Sequence, residues 1–202
     1  MRYEKGHKAR TRTRILRVAG RRFREKGYLG AGVDDVMREA GLTAGGFYAH
    51  FASKQALLGE VLAHSLQETR DRLLVGLEDM RGAAWLREIA RRYLSRAHRD
   101  EAAEGCALPS LSAEVARMGE GARKTFETHL RVLLAEVEGR MPETPTLAPR
   151  DRALAALALF AGSLMLSRAV ADRSLSDRIL LASRRLAMAG LEDPVPSEEK
   201  KP

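Results

Sequence analysis

Apolar residues recur at intervals of three and four along almost the whole of this 202-residue chain and scarcely alternate with period two, so the pattern predicts helices and no sheet. Gly and Pro fall between the periodic segments rather than inside them. A first helix over about 8–26 places Ile15, Val18, Ala19 and Phe23 on one stripe beside Arg22, and Gly27 supplies a left-handed stop. A short second helix from about Val33 to Ala40 turns Val33, Val36, Met37 and Ala40 inward, carries Asp34 and Asp35 in its positive first turn and ends at Gly41. A third helix is expected to start just after Thr43, capped by the threonine hydroxyl, and to run through Phe51.

Ser53 caps a long fourth helix whose apolar positions Leu57, Leu58, Val61, Leu62, Leu66, Leu73, Leu74 and Leu77 carry it to about Asp79, roughly 38 Å at about 1.5 Å per residue. Such a helix is long enough to join a small head to a separate bundle. Further helices are predicted at about 83–100, 107–117, 120–139, 149–171 and 175–189, with Pro142, Pro145 and Pro149 crowding one linker. The pattern thus predicts an all-α chain with an N-terminal three-helix domain over 8–68, a C-terminal helical bundle over 69–190 and a frayed tail over 191–202.

Charge divides the chain differently. Residues 1–54 hold 13 Lys/Arg against 5 Asp/Glu, so they carry the whole +8 of the chain, and the remainder is neutral with 22 of each sign. A basic head followed by a neutral, Leu/Ala-rich remainder points to a polyanion partner for the former and to packing, sensing or pairing for the latter. At 45% apolar residues the chain can bury a sizeable core. No uninterrupted apolar run reaches the roughly 18 residues that cross a bilayer, and the charged start lacks the apolar stretch of an export signal. A cytoplasmic protein with no membrane partner is expected. The single Cys106 excludes an internal disulfide framework.

The segment 31–51 carries the chemistry. Two short helices separated by Gly41-Leu42-Thr43 have the spacing of a helix-turn-helix, whose second helix enters the DNA major groove by its N-terminal end. Here that end reads Thr43-Ala44-Gly45-Gly46, although each glycine costs a helix interior about 1 kcal/mol relative to alanine. Close approach of a phosphate or base edge is a reason to accept that cost. Tyr48, His50 and Lys54 offer phosphate donors, and Phe47 and Phe51 point into the small core. Lys54 stands at a helix N-terminus, where the dipole disfavours a cation, and a phosphate partner would explain it. Of the basic residues before Gly27, Arg10, Arg12 and Arg14 are placed to reach DNA, whereas Arg21, Arg22 and Arg24 read as surface residues.

The stretch resembles the DNA-binding domain of the TetR/AcrR family of bacterial transcriptional repressors. The matching residues are Gly27-Tyr28, Val33-Asp34-Asp35-Val36, Ala40-Gly41-Leu42-Thr43, Gly45 with Phe47-Tyr48-Ala49-His50-Phe51, and Ser53-Lys54-Gln55-Ala56-Leu57, within about residues 8–68. The resemblance implies a homodimer on a palindromic double-stranded operator, with a small-molecule effector in the C-terminal domain loosening the grip. Carried over, Thr43, Gly45 and Gly46 lie at the groove and Tyr48, His50 and Lys54 hold phosphates. Where the family has a Thr or Ser pair before the second helix, this chain has Ala31-Gly32, which leaves the backbone N–H groups of Gly32 and Val33 as the donors there.

Gly105-Cys106 resembles a Gly-Cys stretch that opens a helix in one subgroup of the family, some members of which respond to electrophiles or oxidants through a cysteine. A thiol at a helix N-terminus gains thiolate character, and Arg168 would add to it if the two helices meet. Equally, Cys106 reads as a small buried hydrophobe and Arg168 as a helix-end cation. Trp85, Tyr93, Leu108, Phe126, Leu130 and Phe160 are candidates both for an effector pocket and for plain core. The stretch Leu154–Val170 is apolar nearly all round and needs cover on every side, so it and the last helix are expected to form the dimer contact, through about 149–171 and 175–189.

An enzyme finds little support in the sequence. Histidines 7, 50, 64, 98 and 129 show no i, i+4 pairing with a carboxylate, Gly45-Gly46 belongs to no nucleotide-binding loop, and Asp34 and Asp35 diverge on a helix. No metal and no cofactor is expected. Besides a sequence-specific regulator, the sequence permits a basic protein that binds nucleic acid or anionic membrane without specificity.

Overall fold

The structure is a computed structural model describing residues 6–189 and Leu191. The expected tail, apart from Leu191, lies outside the described residues. These are helical throughout: α1 (His7–Gly30), α2 (Val33–Glu39), a 3₁₀ helix (Ala44–Ala49), α3 (Lys54–Leu74), α4 (Gly82–Tyr93), α5 (Arg96–Asp100), a 3₁₀ turn (Ala102–Glu104), α6 (Ala107–Ala116), α7 (Glu120–Glu138), α8 (Pro149–Ala169) and α9 (Arg173–Met188).

Packing separates the chain into two compact units, and their boundary is not at 68/69. One unit runs to Val75 and takes in Arg96–Leu133, and the other holds Gly76–Ser95 and the chain from Leu134 onward. The first unit is built on the predicted stripes, with Ile15, Val18, Ala19 and Phe23 of α1, Val36 and Met37 of α2, Phe47, Phe51, and Leu57, Leu58, Val61 and Leu62 of α3 all buried. The same core includes Ala107, Leu111 and Val115 of α6. That is why the stretch after residue 96 belongs to the head: its apolar face completes a core that three short helices leave open.

The long fourth helix stops five residues before its predicted end. Val75 turns out of the helix (φ −49°, ψ 118°) and Gly76 takes a positive φ of 73°, so α3 lies wholly in the first unit. The predicted 83–100 helix is likewise two, divided at Leu94 and Ser95. Ser53 caps α3 as its sequence suggests, Oγ accepting from Ala56 N–H at 3.0 Å. Thr43 does not cap by its side chain, and its carbonyl instead accepts from Gly46 N–H at 3.0 Å.

At Gly27 α1 is broken (φ 75°, ψ 162°), and a β-carbon there would stand 2.3 Å from Glu114 Oε1. Glu114 of α6 accepts the Tyr28 N–H at 2.5 Å, and Lys54 Nζ donates to the Tyr28 carbonyl at 2.5 Å. One residue thereby ties α1, α3 and α6 together.

The second unit packs α4 and α8 against α9, around Trp85, Leu86, Phe160, Leu164 and Leu180. Small residues let α8 and α9 approach: Ser163 Oγ donates to Ser183 Oγ at 2.7 Å and Ser176 Oγ to the Ser167 carbonyl at 2.6 Å. By length and composition α8 is apolar enough to span a bilayer, contrary to the sequence reading, because isolated Gly and Ser residues do not break its apolar average. One side of it is buried through Ala153, Ala156, Phe160 and Leu164, while Leu154, Met165 and Leu166 remain exposed.

Gly27→Ala is expected to lower unfolding stability by about 1–3 kcal/mol, since it demands a backbone conformation reserved for glycine and displaces the Glu114 carboxylate. Urea unfolding measures it, and an unchanged midpoint would mean that this junction is not under the constraint described.

Candidate nucleic-acid interface

The element after Gly41 is a tight 3₁₀ helix rather than an α-helix. Its successive glycines weaken the wider helix, and i→i+3 bonds such as His50 N–H to the Phe47 carbonyl at 2.9 Å close it. Gly41 itself sits at φ 68° and turns the chain out of α2. Phe47 is 1% exposed and stacks on Phe51 with centroids 5.7 Å apart, while a β-carbon at Gly46 would meet Met37 Cε at 3.7 Å. These inward contacts fix which side faces out.

Thr43, Ala44, Gly45, Tyr48 and Ala49 are exposed, Tyr48 at 75%. In a 3₁₀ helix residues i and i+3 eclipse, so Gly45 and Tyr48 share one outward row. Nothing within the protein requires glycine at 45: its φ is not positive, and a β-carbon there would meet nothing within 4 Å. Gly32 is likewise exposed, at the N-cap of α2 with no side-chain cap, and Val33 is half-buried against the head core.

Several of the expected phosphate donors are engaged internally. The Lys54 ammonium, besides its bond to Tyr28, lies over the Tyr28 ring at 4.4 Å, and this explains a cation at the start of α3 without any phosphate. Burial pushes its pKa down, with Glu114 partly restoring it. Arg12 is bound by Glu60, donates to the His50 carbonyl and lies 4.3 Å above the Phe51 ring. Arg21 and Arg22 both pair with Glu39 of α2, so they are not simply surface charges.

His50 Nδ1 is shut off from water with no hydrogen-bond partner. Burial, then Lys8, Arg12 and His7, push its imidazole below the usual histidine range.

Arg24, expected at the surface, and His98, given no role by the sequence, are both engaged inside the head. Arg24 crosses to α3, donating to Ser65 Oγ at 2.8 Å and to the Ala103 carbonyl, and burial pushes its pKa down against the opposing pull of Glu104, Glu68 and Cys106. Arg24 and Cys106 thus lie in one unit and act on each other electrostatically, while Arg168 is a residue of the second unit. Cys106 is 2% exposed, and its N–H donates to His98 Nε2 at 3.1 Å. The six candidate effector residues are divided too. Trp85, Tyr93 and Phe160 lie in the second unit, with Tyr93 stacked on Phe160 at 5.6 Å, and Leu108, Phe126 and Leu130 lie in the first, Phe126 against the head core. One histidine does pair at i, i+4, contrary to the sequence reading: His64 Nδ1 is 3.2 Å from Glu68 Oε2. Among the described residues no cluster of three potential metal ligands forms.

Residues 15–61 match the family described as bacterial regulatory proteins, tetR family. That segment carries the likeness of this chain to the tetR family. The matched stretch runs from Ile15 of α1 to Val61 of α3 and contains the whole outward row. The chain is 26% identical over 167 residues to an uncharacterised HTH-type transcriptional regulator of Lactococcus lactis subsp. lactis, covering 80% of this chain and 85% of that one. It is 29% identical over 101 residues to the HTH-type transcriptional repressor DhaR of Mycobacterium sp. (strain GP1), half of each chain. A TetR-family regulator from Cytophaga hutchinsonii has the same fold, with a TM-score of 0.75, 19% identity and coverage of 94% and 100%. The chain is thus an all-α, helix-turn-helix DNA-binding transcriptional regulator.

The His50 shift fixes the sign of a pH effect. With the folded pKa below the unfolded value of about 6.5, stability is full above that pH and is lost as pH falls through the folded pKa. His50→Gln is expected to flatten this part of the profile. Urea midpoints taken from neutral to mildly acidic pH measure it, and an identical slope in the variant would exclude His50 as the cause.

Proposed function

We propose that this protein is a homodimeric repressor that grips a palindromic operator through the row Thr43, Gly45 and Tyr48 and is released by a small-molecule effector. The observation that carries this reading is Gly45, exposed, ordinary in backbone and unconstrained by its own protein, so that its lack of a side chain serves an approaching partner. Gly46 lies beside it at the groove. Tyr48, His50 and the remaining donors of Lys54 take phosphates, and so do the backbone N–H groups of Gly32 and Val33. The +8 charge of residues 1–54 supplies the long-range attraction. Function divides the chain into a DNA-binding part over 8–68 and a sensing and pairing part over 69–190.

Pairing falls to α8 and α9. Leu154, Met165, Leu166, Leu175 and Leu186 are all exposed there, and burying a side chain of this kind is worth about 1.5–3 kcal/mol. Such a protein works by binding rather than catalysis, in the cytoplasm where the DNA is. Trp85, Tyr93 and Phe160 are the part of the candidate effector set that the second unit holds together, and the Trp85 Nε1–H is a buried donor with no acceptor. Covalent sensing through Cys106 is a second reading, favoured by Arg24 beside it, and its burial makes an opening of α6 a condition of reaction.

Three experiments test these statements. Gly45→Ala should leave the free protein as stable or up to about 1 kcal/mol more stable, because the side chain meets open space, yet cut operator affinity at least about tenfold. A variant that binds as well as the parent would remove the argument from Gly45. In footprinting, the parent should protect two symmetric half-sites, and Tyr48→Ala should lose them without a change in melting temperature. A nonspecific binder would instead show affinity that depends on salt and is indifferent to sequence. Cys106→Ser should abolish release by an electrophile such as N-ethylmaleimide while operator binding persists, and release that continues in the variant would refute covalent sensing.

A further inference from the structure

A cleft of about 540 Å³ opens between α4 and α9, wholly within the second unit. Its walls are two helical stripes: Arg87, Ala90 and Arg91 at i, i+3, i+4 on α4, and Leu181, Arg184, Arg185 and Met188 at i, i+3, i+4, i+7 on α9, continued by Ala189. The inward face of α4, with Trp85, Leu86, Ile89 and Tyr93, packs into the core, so this stripe is a second face of the same helix.

The lining holds four guanidinium groups and no acid. The carboxylate nearest in sequence, Glu88, is already committed: it accepts from Arg91 at 2.6 Å and from Arg92 at 2.7 Å, and these two arginines hold its pKa down to about 2. Among the described residues Arg87, Arg184 and Arg185 have no ion-pair partner, and Arg184 Nε is closed off from water without an acceptor. Clustering several cations in a partly enclosed site costs free energy unless an anion offsets their repulsion, and a buried guanidinium N–H without an acceptor adds to that cost. Between the arginines lie Leu181, Met188 and Ala189, an apolar surface that a bare inorganic anion leaves uncovered.

We propose that this cleft binds a small anionic amphiphile, a compound with a carboxylate or phosphate head and an apolar body of a few to a dozen carbons. The head is held by the forked donors of Arg184 and Arg87, one from each wall, with Arg185 contributing charge. A small turn of the Arg184 side chain presents Nε together with one terminal nitrogen as a bidentate pair, the geometry that suits either head group. The body lies along Leu181 and Met188, and methionine adapts its shape to bodies of differing outline. The volume lies within the range of about 300–1,000 Å³ usual for small-molecule sites.

The test is binding alone, by calorimetric titration of the full-length protein, so its failure and the failure of the DNA-binding reading are separate events. Octanoate and octyl phosphate represent the two head groups, octanol the uncharged body, and acetate and inorganic phosphate the heads without a body. At least one of the two amphiphiles should bind about tenfold or more tightly than octanol and than its own bare head, and added salt should weaken that binding. Which head binds better identifies the source of the anion. Arg184→Gln and, on the opposite wall, Arg87→Gln should each lower the affinity about tenfold with unchanged far-ultraviolet circular dichroism. Octanol binding as tightly as both acids, or affinity indifferent to salt, overturns the proposal on the unaltered protein. Binding that survives both substitutions shows the site to be elsewhere and overturns it too.

Discussion

The head of this protein depends on a single peptide group. Tyr28 stands just past the break at Gly27, and its N–H is taken by Glu114 of α6 while its carbonyl is taken by Lys54 at the start of α3. Both would otherwise be exposed helix-end groups in need of partners. The break is possible only because residue 27 has no β-carbon, and the carboxylate occupies the space that a β-carbon would fill. Through this point the helix that carries most of the positive charge is fastened both to the helix following the reading element and to α6, which lies more than fifty residues further along the chain. A shift of α6 therefore cannot leave the end of α1 undisturbed, and that gives events at Cys106, the residue preceding α6, a physical route into the reading head.

The interface shows how little a count of cations says about contacts. Of the many basic residues in the first 54, Arg12, Arg21, Arg22 and Lys54 make intramolecular bonds that brace α1 against α2, the 3₁₀ helix and α3. They still contribute to the field that draws in a polyanion, since pairing with one carboxylate does not cancel the surplus. In the proposed reading, specific contact falls to a surface with hardly any side chains: Thr43, two glycines and the exposed Tyr48. Its shape is held from behind by Phe47 and Phe51, so the outer face is free of structural duty.

The second unit presents two kinds of unfinished surface. On α8 and α9 the exposed leucines and a methionine are apolar and suit a second copy of the chain, whose identical face would be self-complementary under a two-fold axis. Between α4 and α9 the surplus is electrostatic, with guanidinium groups over a short apolar floor. The chemistries differ enough that one partner does not satisfy both, and α9 serves each with a different side.

The sequence by itself determined the helical class, the stripes of the head core, the stops at Gly27 and Gly41, the Ser53 cap and the likeness of the head to the tetR family, because each is a matter of local periodicity, backbone freedom or a contiguous motif. It did not determine where α3 ends, since an apolar pattern continues past the point at which Val75 and Gly76 leave the helix, nor that the short third helix is 3₁₀. Only the tertiary structure decided that residues 96–133 pack with the head, that Lys54 and Arg12 have internal partners, that Cys106 acts on Arg24, and that Arg87 and Arg184 face one cleft. These pairings join residues from 26 to nearly 100 positions apart, and a side chain's partner across such a distance is set by how helices dock, which no local pattern encodes.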